Sequence, residues 1–262
     1  MNLLDIQTQT IDAVKISASF IQQAFGKISN QDIKTKSLNS LVTYVDKETE
    51  QQLVVRLKEI VPDVAFLTEE GTIIQTENDW QWIIDPLDGT TNFIHGVPVF
   101  GISVALAYKN EIKIGVVYEP VRDDCFYAVK DNGAFRNGMP IQVSKTTKLQ
   151  DSLIATGFPY YDYSQTDKYL DFLKYLMQHT RGVRRLGAAA IDLCYTACGI
   201  FDGFFEYSLS PWDVAAGSLI VQEAGGIVCD FNGGNNFLFG KSIIASNTNI
   251  QKEFYNAMKD YL

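Results

Sequence analysis

A chain of 262 residues that is 46% hydrophobic can bury a complete core, which excludes a disordered or low-complexity protein. The formal net charge is −9, and no lysine or arginine cluster is dense enough to follow a phosphate backbone, so we expect no nucleic-acid partner. No apolar run approaches the roughly 20 residues that span a bilayer, and the N-terminal residues lack a signal-peptide pattern, which predicts a soluble cytoplasmic protein without membrane contact.

The first part of the chain predicts two helices and then a short strand that ends in acids. Apolar residues recur at three- and four-residue spacings over residues 3–26, and KETEQQLVVRLKEIVPD predicts a second helix. Asp46 stands where a helix N-cap is favoured, although the same position could aim its carboxylate at a cation. A strand at 64–67 leads to Glu69 and Glu70, and repulsion between adjacent carboxylates favours either solvent or a bridging cation there.

The stretch WQWIIDPLDGTTNFIHG, residues 80–96, follows a polar segment at 75–79 that predicts an exposed loop. Its apolar run ends in Asp85 and Asp88 and then breaks at Gly89, which predicts a buried strand that runs out into a turn. Two carboxylates and a carbonyl on one turn supply hard oxygen ligands, which suit Mg²⁺ or Mn²⁺ rather than zinc. Taken alone, the motif leaves open a second interpretation, in which the aspartates only cap backbone N–H groups.

The rest of the chain predicts an N-terminal α+β half, residues 1–144, and a C-terminal α/β half, residues 145–262, within one domain. Asp213 stands at the start of a helix, again where an N-cap is favoured. Cys194 and Cys198 lie four apart in an apolar helical run, which favours buried free thiols over a metal site. Strands are expected at 101–108, 113–120, 124–129, 152–156, 183–187, 201–207, 227–231 and 242–247, a hairpin over GAFRNGMPIQV, and helices at 166–179, 188–199, 214–226 and the C-terminus.

The acids fall within blocks that together resemble the inositol monophosphatase family. TEEG, WIIDPLDGTTNFIHG and WDVAAGSLIVQEAGG resemble that family in sequence, order and spacing. VTYVD, GAFRNG, LIATGFP and RRLGAAAIDLCYTACGIFDGFFE match further family blocks, so the resemblance covers nearly the whole chain. It implies the layered αβαβα sugar-phosphatase fold, with two sheets sandwiched between helices.

The resemblance also implies a magnesium-dependent phosphatase that uses a metal-activated water. Mg²⁺ would be held by the Leu87 carbonyl and by the carboxylates of Glu69, Asp85, Asp88 and Asp213, with Mn²⁺ as a substitute and lithium as an inhibitor. Glu69 and Thr90 would orient and deprotonate the attacking water, and Asp46 would hydrogen-bond to Thr90.

The substrate implied by the resemblance is a small phosphorylated polyol, with inositol-1-phosphate first, bound by a homodimeric enzyme. Gly89 and Thr90 would present backbone N–H groups to the phosphate, and Glu206 would contact the inositol hydroxyls. Asp88 and Asp213 would face both the metal and the substrate. The sugar-like end of the site would be lined by Gly187, Ala188 and Ala189.

Several alternatives stay open at this point. Thr91, Asn92 and Phe93 resemble the inositol phosphatase branch, whereas adenosine bisphosphate phosphatases usually carry Lys-Glu there. A single glutamate that binds hydroxyls selects weakly among substrates. A sugar bisphosphate, histidinol phosphate and adenosine 3′,5′-bisphosphate are therefore alternative substrates. A non-catalytic role is a further alternative, because some bacterial relatives associate with the transcription machinery. Thr68 and Gly71 also depart from the Gly and Ser usual in the family around the paired glutamates.

Overall fold

The structure, a computed structural model, describes residues 2–29, 31–37, 40–74, 78–159 and 162–262. Two larger β-sheets alternate with layers of helices. The helices are α1 (Leu3–Ala24), α2 (Tyr44–Ile60), α3 (Thr90–Ile94), α4 (Thr166–His179), α5 (Ala189–Ala197), α6 (Pro211–Glu223) and α7 (Gln251–Lys259). The strands are β1 (Lys34–Ser37), β2 (Ser40–Val42), β3 (Ala65–Thr68), β4 (Trp80–Asp88), β5 (Gly101–Tyr108), β6 (Glu111–Glu119), β7 (Asp124–Val129), β8 (Ala134–Arg136), β9 (Met139–Pro140), β10 (Leu153–Thr156), β11 (Gly182–Arg184), β12 (Gly203–Tyr207), β13 (Ile227–Cys229) and β14 (Ser242–Ser246).

The first sheet has seven strands in the order β3-β4-β5-β6-β7-β8-β9, antiparallel except for the parallel pair β3–β4. Residues of β4 alternate between its two faces, as the pleat requires. Trp82 and Ile84 pack with α1 and α2, whereas Ile83 belongs to the core cluster that contains α5 and α6. Both faces of the strand are therefore buried, and the end of β4 is held firmly.

The middle layer consists of α5 and α6, which lie between the two sheets. Every residue of α5 is buried, and so is the run Val214–Val221 of α6. A helix that is apolar on all sides needs cover on all sides, and the two sheets supply it. One core cluster accordingly joins Ala105 of the first sheet, Leu193 of α5 and Ile243 of the second sheet.

The second sheet has five strands in the order β11-β10-β12-β14-β13, with α4 and α7 on its outer face. Aromatic side chains fill that face, and the rings of Phe172 and Phe205 meet edge to face with centroids 5.0 Å apart. The five layers are therefore α1/α2, first sheet, α5/α6, second sheet and α4/α7. This confirms the predicted αβαβα fold.

The structure departs from the expected local elements in three places. Strand β4 continues through Asp88 instead of running out into a turn at the two aspartates, because a register shift between Asp85 and Asp88 absorbs Pro86 and lets Asp88 pair with Gly101. The hairpin β1–β2 and the short helix α3 were not expected. Asp46 and Asp213 are not N-caps: Thr43 and Ser210 cap α2 and α6, and each aspartate is the third helical residue of a capping box.

Other sequence expectations concern loops, thiols and membranes. Of the segment 75–79, residues 75–77 lie outside the described residues, and Asn78 and Asp79 are exposed. Cys194 is a buried free thiol and Cys198 a half-buried one. Among the helices that the structure describes, none is long and apolar enough to cross a membrane.

Candidate active site

Strand β4 delivers Asp85 and Asp88 to the cleft that contains nearly all of the predicted site residues. Three helices begin at this cleft, namely α3, α5 and α6, and β12 contributes Glu206 on another wall. The cleft encloses about 840 Å³ of non-protein space, with the open solvent at its mouth included. It is lined by Leu41, Glu69, Asp85, Leu87, Asp88, Gly89, Thr90, Thr91, Gly157, Arg185, Gly187, Ala188, Ala189, Glu206, Ser208, Leu209, Ser210, Trp212 and Asp213.

Each of the three aspartates in the cleft has one carboxylate oxygen held by a backbone N–H. Leu87 donates to Asp85 Oδ1 at 2.9 Å, Ala190 donates to Asp88 Oδ2 at 2.8 Å, and Ser210 donates to Asp213 Oδ2 at 2.7 Å. The Asp88 carboxylate thus lies at the N-terminus of α5, where helical N–H groups lack intrahelical acceptors. These bonds fix the orientation of each carboxylate in the cleft.

The charges in this cluster destabilise one another when no cation is bound. Burial raises the pKa of Asp88 to about 7, and the nearby Glu69 adds to this rise. Burial, followed by repulsion from Asp88, likewise raises the pKa of Asp213 to about 7. The pKa of Asp85 lies well above its usual range because of burial and then repulsion from Glu69, Asp88 and Asp213. A bound cation would relieve this repulsion.

The donor chemistry of the cleft fits Mg²⁺. Its candidate ligands are carboxylate oxygens and the Leu87 carbonyl, which are the hard oxygen donors that Mg²⁺ and Mn²⁺ prefer. In the described part of the chain, no three histidine, cysteine or acidic side chains are already arranged to hold a metal ion. The cleft therefore suits Mg²⁺ because of its oxygen donors and the mutual repulsion of its carboxylates, and not because the side chains already form a coordination shell.

Asp46 does not line the cleft; it lies behind Thr90 and holds that side chain. The Thr90 hydroxyl donates to Asp46 Oδ1 at 2.8 Å and also lies 3.0 Å from the Leu87 carbonyl oxygen. The other oxygen, Asp46 Oδ2, accepts from the Thr43 N–H and hydroxyl. Burial raises the pKa of Asp46, and its hydrogen bonds with Thr43 and then Thr90 counteract the rise. The structure thus places Asp46 as a support for Thr90.

The wall of the cleft that carries Glu206 contains residues that the sequence interpretation missed. A Cβ at Gly157 would lie 2.0 Å from Glu206 Oε1, so the backbone of residue 157 runs directly against that carboxylate. Arg185 is the one basic residue among those that line the cleft in the described chain, and its guanidinium lies 5.6 Å from the centre of the Phe158 ring. Burial, then Asp213 and Asp88, hold the pKa of Glu206 well above its usual range, and Arg185 counteracts them.

The sequence interpretation also missed Asp192, which interacts electrostatically with Glu206. It is buried, and among the described residues its Oδ1 has no hydrogen-bond partner. Burial and then Glu206 raise the pKa of Asp192 well above its usual range. The blocks LIATGFP and RRLGAAAID contain Gly157, Arg185 and Asp192, but only Gly187, Ala188 and Ala189 of these blocks were assigned to the site.

Comparisons with known proteins agree with this architecture. The family model described as the inositol monophosphatase family matches residues 2–261. A protein of Pseudomonas aeruginosa named Nus factor SuhB is 41% identical over 95% of this chain and 94% of its own length. An inositol-1-monophosphatase of Mesorhizobium japonicum is 38% identical over 98% of this chain and 96% of its own length.

Solved structures give the same result. The crystal structure of the extragenic suppressor protein suhB from Bartonella henselae superimposes with a TM-score of 0.93 at 37% identity, over 98% of this chain and 100% of that one. The matching fold, the extent of the family match and the shared identity lead to one conclusion. The chain belongs to the inositol monophosphatase family.

Proposed function

We propose that this protein hydrolyses phosphate monoesters with Mg²⁺ and that inositol-1-phosphate is its preferred substrate. The observation that supports this most directly is the cleft itself. Glu69, Asp85, Asp88 and Asp213 meet there beside the first turn of α3, and Glu206 lies on another wall. Mg²⁺ held by these acids would offset the charge of a phosphate, and Glu206 could accept from hydroxyls, so the cleft suits a phosphorylated polyol.

At the phosphate end, the Gly89 backbone can approach a ligand closely. Gly89 has φ 89°, and a Cβ there would lie 3.0 Å from the Val99 carbonyl oxygen, so only glycine fits without strain. The N–H groups of Gly89 and Thr90 at the start of α3 can donate to phosphate oxygens. Mg²⁺ held by the carboxylates and the Leu87 carbonyl would lower the pKa of a bound water and offset charge on the phosphate and the leaving alkoxide.

Thr90 is placed to orient the attacking water. A hydroxyl has one hydrogen, and that of Thr90 is directed to Asp46 Oδ1 or to the Leu87 carbonyl. Toward the cleft, its oxygen can therefore only accept a hydrogen bond, and a water that donates to it presents a lone pair to the phosphorus. Glu69 also lines the cleft and is the group that would take the proton of this water.

At the other end, the Glu206 carboxylate would accept hydrogen bonds from hydroxyls of the leaving group. Gly187, Ala188 and Ala189 give this end short side chains, which leaves room for a ring-shaped polyol. Burial and then Asp213 and Asp88 raise the pKa of Glu206, each by more than Arg185 lowers it, so a neutral leaving group is favoured over one with a second anionic group. This is our reason for placing inositol-1-phosphate ahead of adenosine 3′,5′-bisphosphate and sugar bisphosphates.

The test is phosphate release from a panel of monoesters, with Mg²⁺, with Mn²⁺, with a chelator, and with Mg²⁺ plus lithium. The panel holds inositol-1-phosphate, glycerol-2-phosphate, fructose-1,6-bisphosphate, adenosine 3′,5′-bisphosphate and histidinol phosphate. We expect Mg²⁺-dependent release that is fastest with inositol-1-phosphate and is inhibited by lithium. Release led by another ester would overturn the substrate, and no release from folded, metal-replete protein would overturn the reaction.

We infer a second candidate function from the names of the relatives. Proteins that are 38–41% identical to this chain are named Nus factor SuhB, a name that refers to transcription and not to a substrate. In this alternative the chain acts by binding a partner, and its phosphatase activity is incidental. A binding role predicts that partner capture survives Asp88→Asn, whereas hydrolysis does not. We extend both proposals to a homodimeric cytoplasmic protein, as the family resemblance implies.

A further inference from the structure

Glu50 is a buried acid on α2 that the proposed reaction does not use. It is 0% exposed, and it is not among the described residues that line the cleft. Both of its oxygens accept hydrogen bonds from the segment that carries Glu69. The Thr68 hydroxyl and the Thr72 N–H and hydroxyl donate to Oε1 at 3.0, 2.7 and 2.6 Å, and the Glu70 N–H donates to Oε2 at 2.7 Å.

These bonds hold the turn at residues 68–72 from one side, while β4 holds it from the other. The Glu69 N–H donates to the Ile84 carbonyl at 3.2 Å, one residue before Asp85. Hydrogen bonds to a buried carboxylate are charge-assisted and stronger than neutral ones. The backbone on both sides of Glu69 is therefore fixed, although the residue lies in a turn and not in a strand.

The same helix also fixes Thr90. Asp46 and Glu50 are four residues apart, so they lie one above the other on one face of α2. Asp46 accepts from the Thr90 hydroxyl, and Glu50 accepts from the N–H groups of Glu70 and Thr72, which follow Glu69 in the chain. One turn of helix thus connects the two segments whose side chains would share the attacking water.

We propose that Glu50 is a positioning residue that, with Asp46, uses α2 to fix the Glu69 turn relative to Thr90 and so sets metal affinity and the placement of the attacking water. The inference rests on the proposed function. Groups that orient metal ligands without touching the ion cost about 10- to 100-fold in metal affinity or activity when they are changed. Glu50 should fall in that class.

The decisive variant is Glu50→Gln. The glutamine amide has one acceptor oxygen and one NH₂ group that only donates. The Glu70 and Thr72 N–H groups bind different oxygens of Glu50, so one of them loses its acceptor in the variant. Glu48→Gln is the matched control, because it makes the same charge change on an exposed part of the same helix. Thr72→Val removes one hydroxyl donor and keeps the carboxylate, and it replaces Glu50→Gln if that variant does not fold.

Three measurements are made on each full-length variant: Mg²⁺ binding by calorimetry, kcat and KM for inositol-1-phosphate, and hydrogen exchange over residues 68–72. We expect Glu50→Gln to weaken Mg²⁺ binding about tenfold or more, to lower kcat, and to leave KM within about twofold. Exchange at the Glu70 and Thr72 amides should accelerate, and Glu48→Gln should match the wild type. Thr72→Val should weaken Mg²⁺ binding in the same direction but less.

The outcomes separate the two proposals. Absence of Mg²⁺-dependent turnover in the wild type overturns the proposed function, and this inference with it. Turnover in the wild type together with unchanged Mg²⁺ affinity and kcat in folded Glu50→Gln, or in Thr72→Val if the first variant does not fold, overturns the inference alone. A lower unfolding temperature without those losses would identify Glu50 as a purely structural residue.

Discussion

Replacing Asp88 by asparagine should abolish activity and stabilise the metal-free protein at the same time. Asp88→Asn removes one charge from the ligand set, so we expect turnover with Mg²⁺ to fall by more than about a hundredfold. The amide oxygen can still accept from the Ala190 N–H, so the link between β4 and α5 is kept. The same change relieves repulsion within the buried cluster, which favours the folded state.

The size of that relief follows from the pKa of Asp88. A rise from 3.8 to about 7 corresponds to about 4 kcal/mol of unfavourable free energy for the ionised form in the folded protein above pH 7. This is an upper limit for the gain, since the asparagine amide must also be buried. Recovery of about 1 kcal/mol would raise the melting temperature by about 2 °C.

The assay is thermal unfolding at pH 8 in a chelator and then in Mg²⁺, with phosphate release measured on the same samples. Asp171→Asn, at an exposed position of α4, is the control for the chemical change alone. We expect Asp88→Asn to melt above the wild type in the chelator and to gain less from Mg²⁺, because binding to the folded state alone stabilises it. Near-normal turnover would refute the site assignment, and a lower melting temperature in the chelator would refute the electrostatic argument.

Glu206→Ala should raise KM for inositol-1-phosphate more than it lowers kcat in steady-state assays; equal losses would indicate a structural role. Gly157→Ala should give the same pattern, since its Cβ would displace Glu206 Oε1 from 2.0 Å; an unchanged KM would contradict the contact. In the same assays, Thr90→Val should lower kcat while changing KM less, and Thr90→Ser, which keeps the hydroxyl, should retain activity. The metal-free protein should lose stability as pH rises from about 4 to 7. In this range Asp88 and Asp213, with pKa values near 7, keep protons in the folded state that the unfolded chain releases. Melting curves at several pH values, with and without Mg²⁺, test this.

Long periodic segments were predictable, whereas short ones were not. Residues 166–179 and 124–129 were expected as a helix and a strand, and α4 and β7 have those bounds. The hairpin β1–β2 and helix α3 are too short to show a period. The extension of β4 past Pro86 was hidden because a proline normally ends a strand, and only pairing with β5 makes a bulge favourable there.

The acids of the site were predictable because they lie in compact motifs, but the residues that hold them were not. Glu50 looks like one more charge in the run KETEQ, and only the fold shows that it accepts hydrogen bonds from residues about 20 positions away. Gly157 packs against Glu206, and Arg185 acts on Glu206 electrostatically; both relations depend on the fold and are not visible in the spacing of the residues. The roles given to the site residues stay predictions, as does the single-domain organisation with halves at 1–144 and 145–262, for which one unfolding transition is the test.

The two capping boxes bear on how such a site changes during evolution. Asp46 and Asp213 each hold the N-terminus of a helix through one oxygen, the Thr43 and Ser210 N–H groups being their donors. Loss of either aspartate would therefore weaken a helix even in a descendant that no longer performed catalysis. Selection for folding alone can preserve both acids, so their presence in a relative is not evidence that the relative is an active phosphatase.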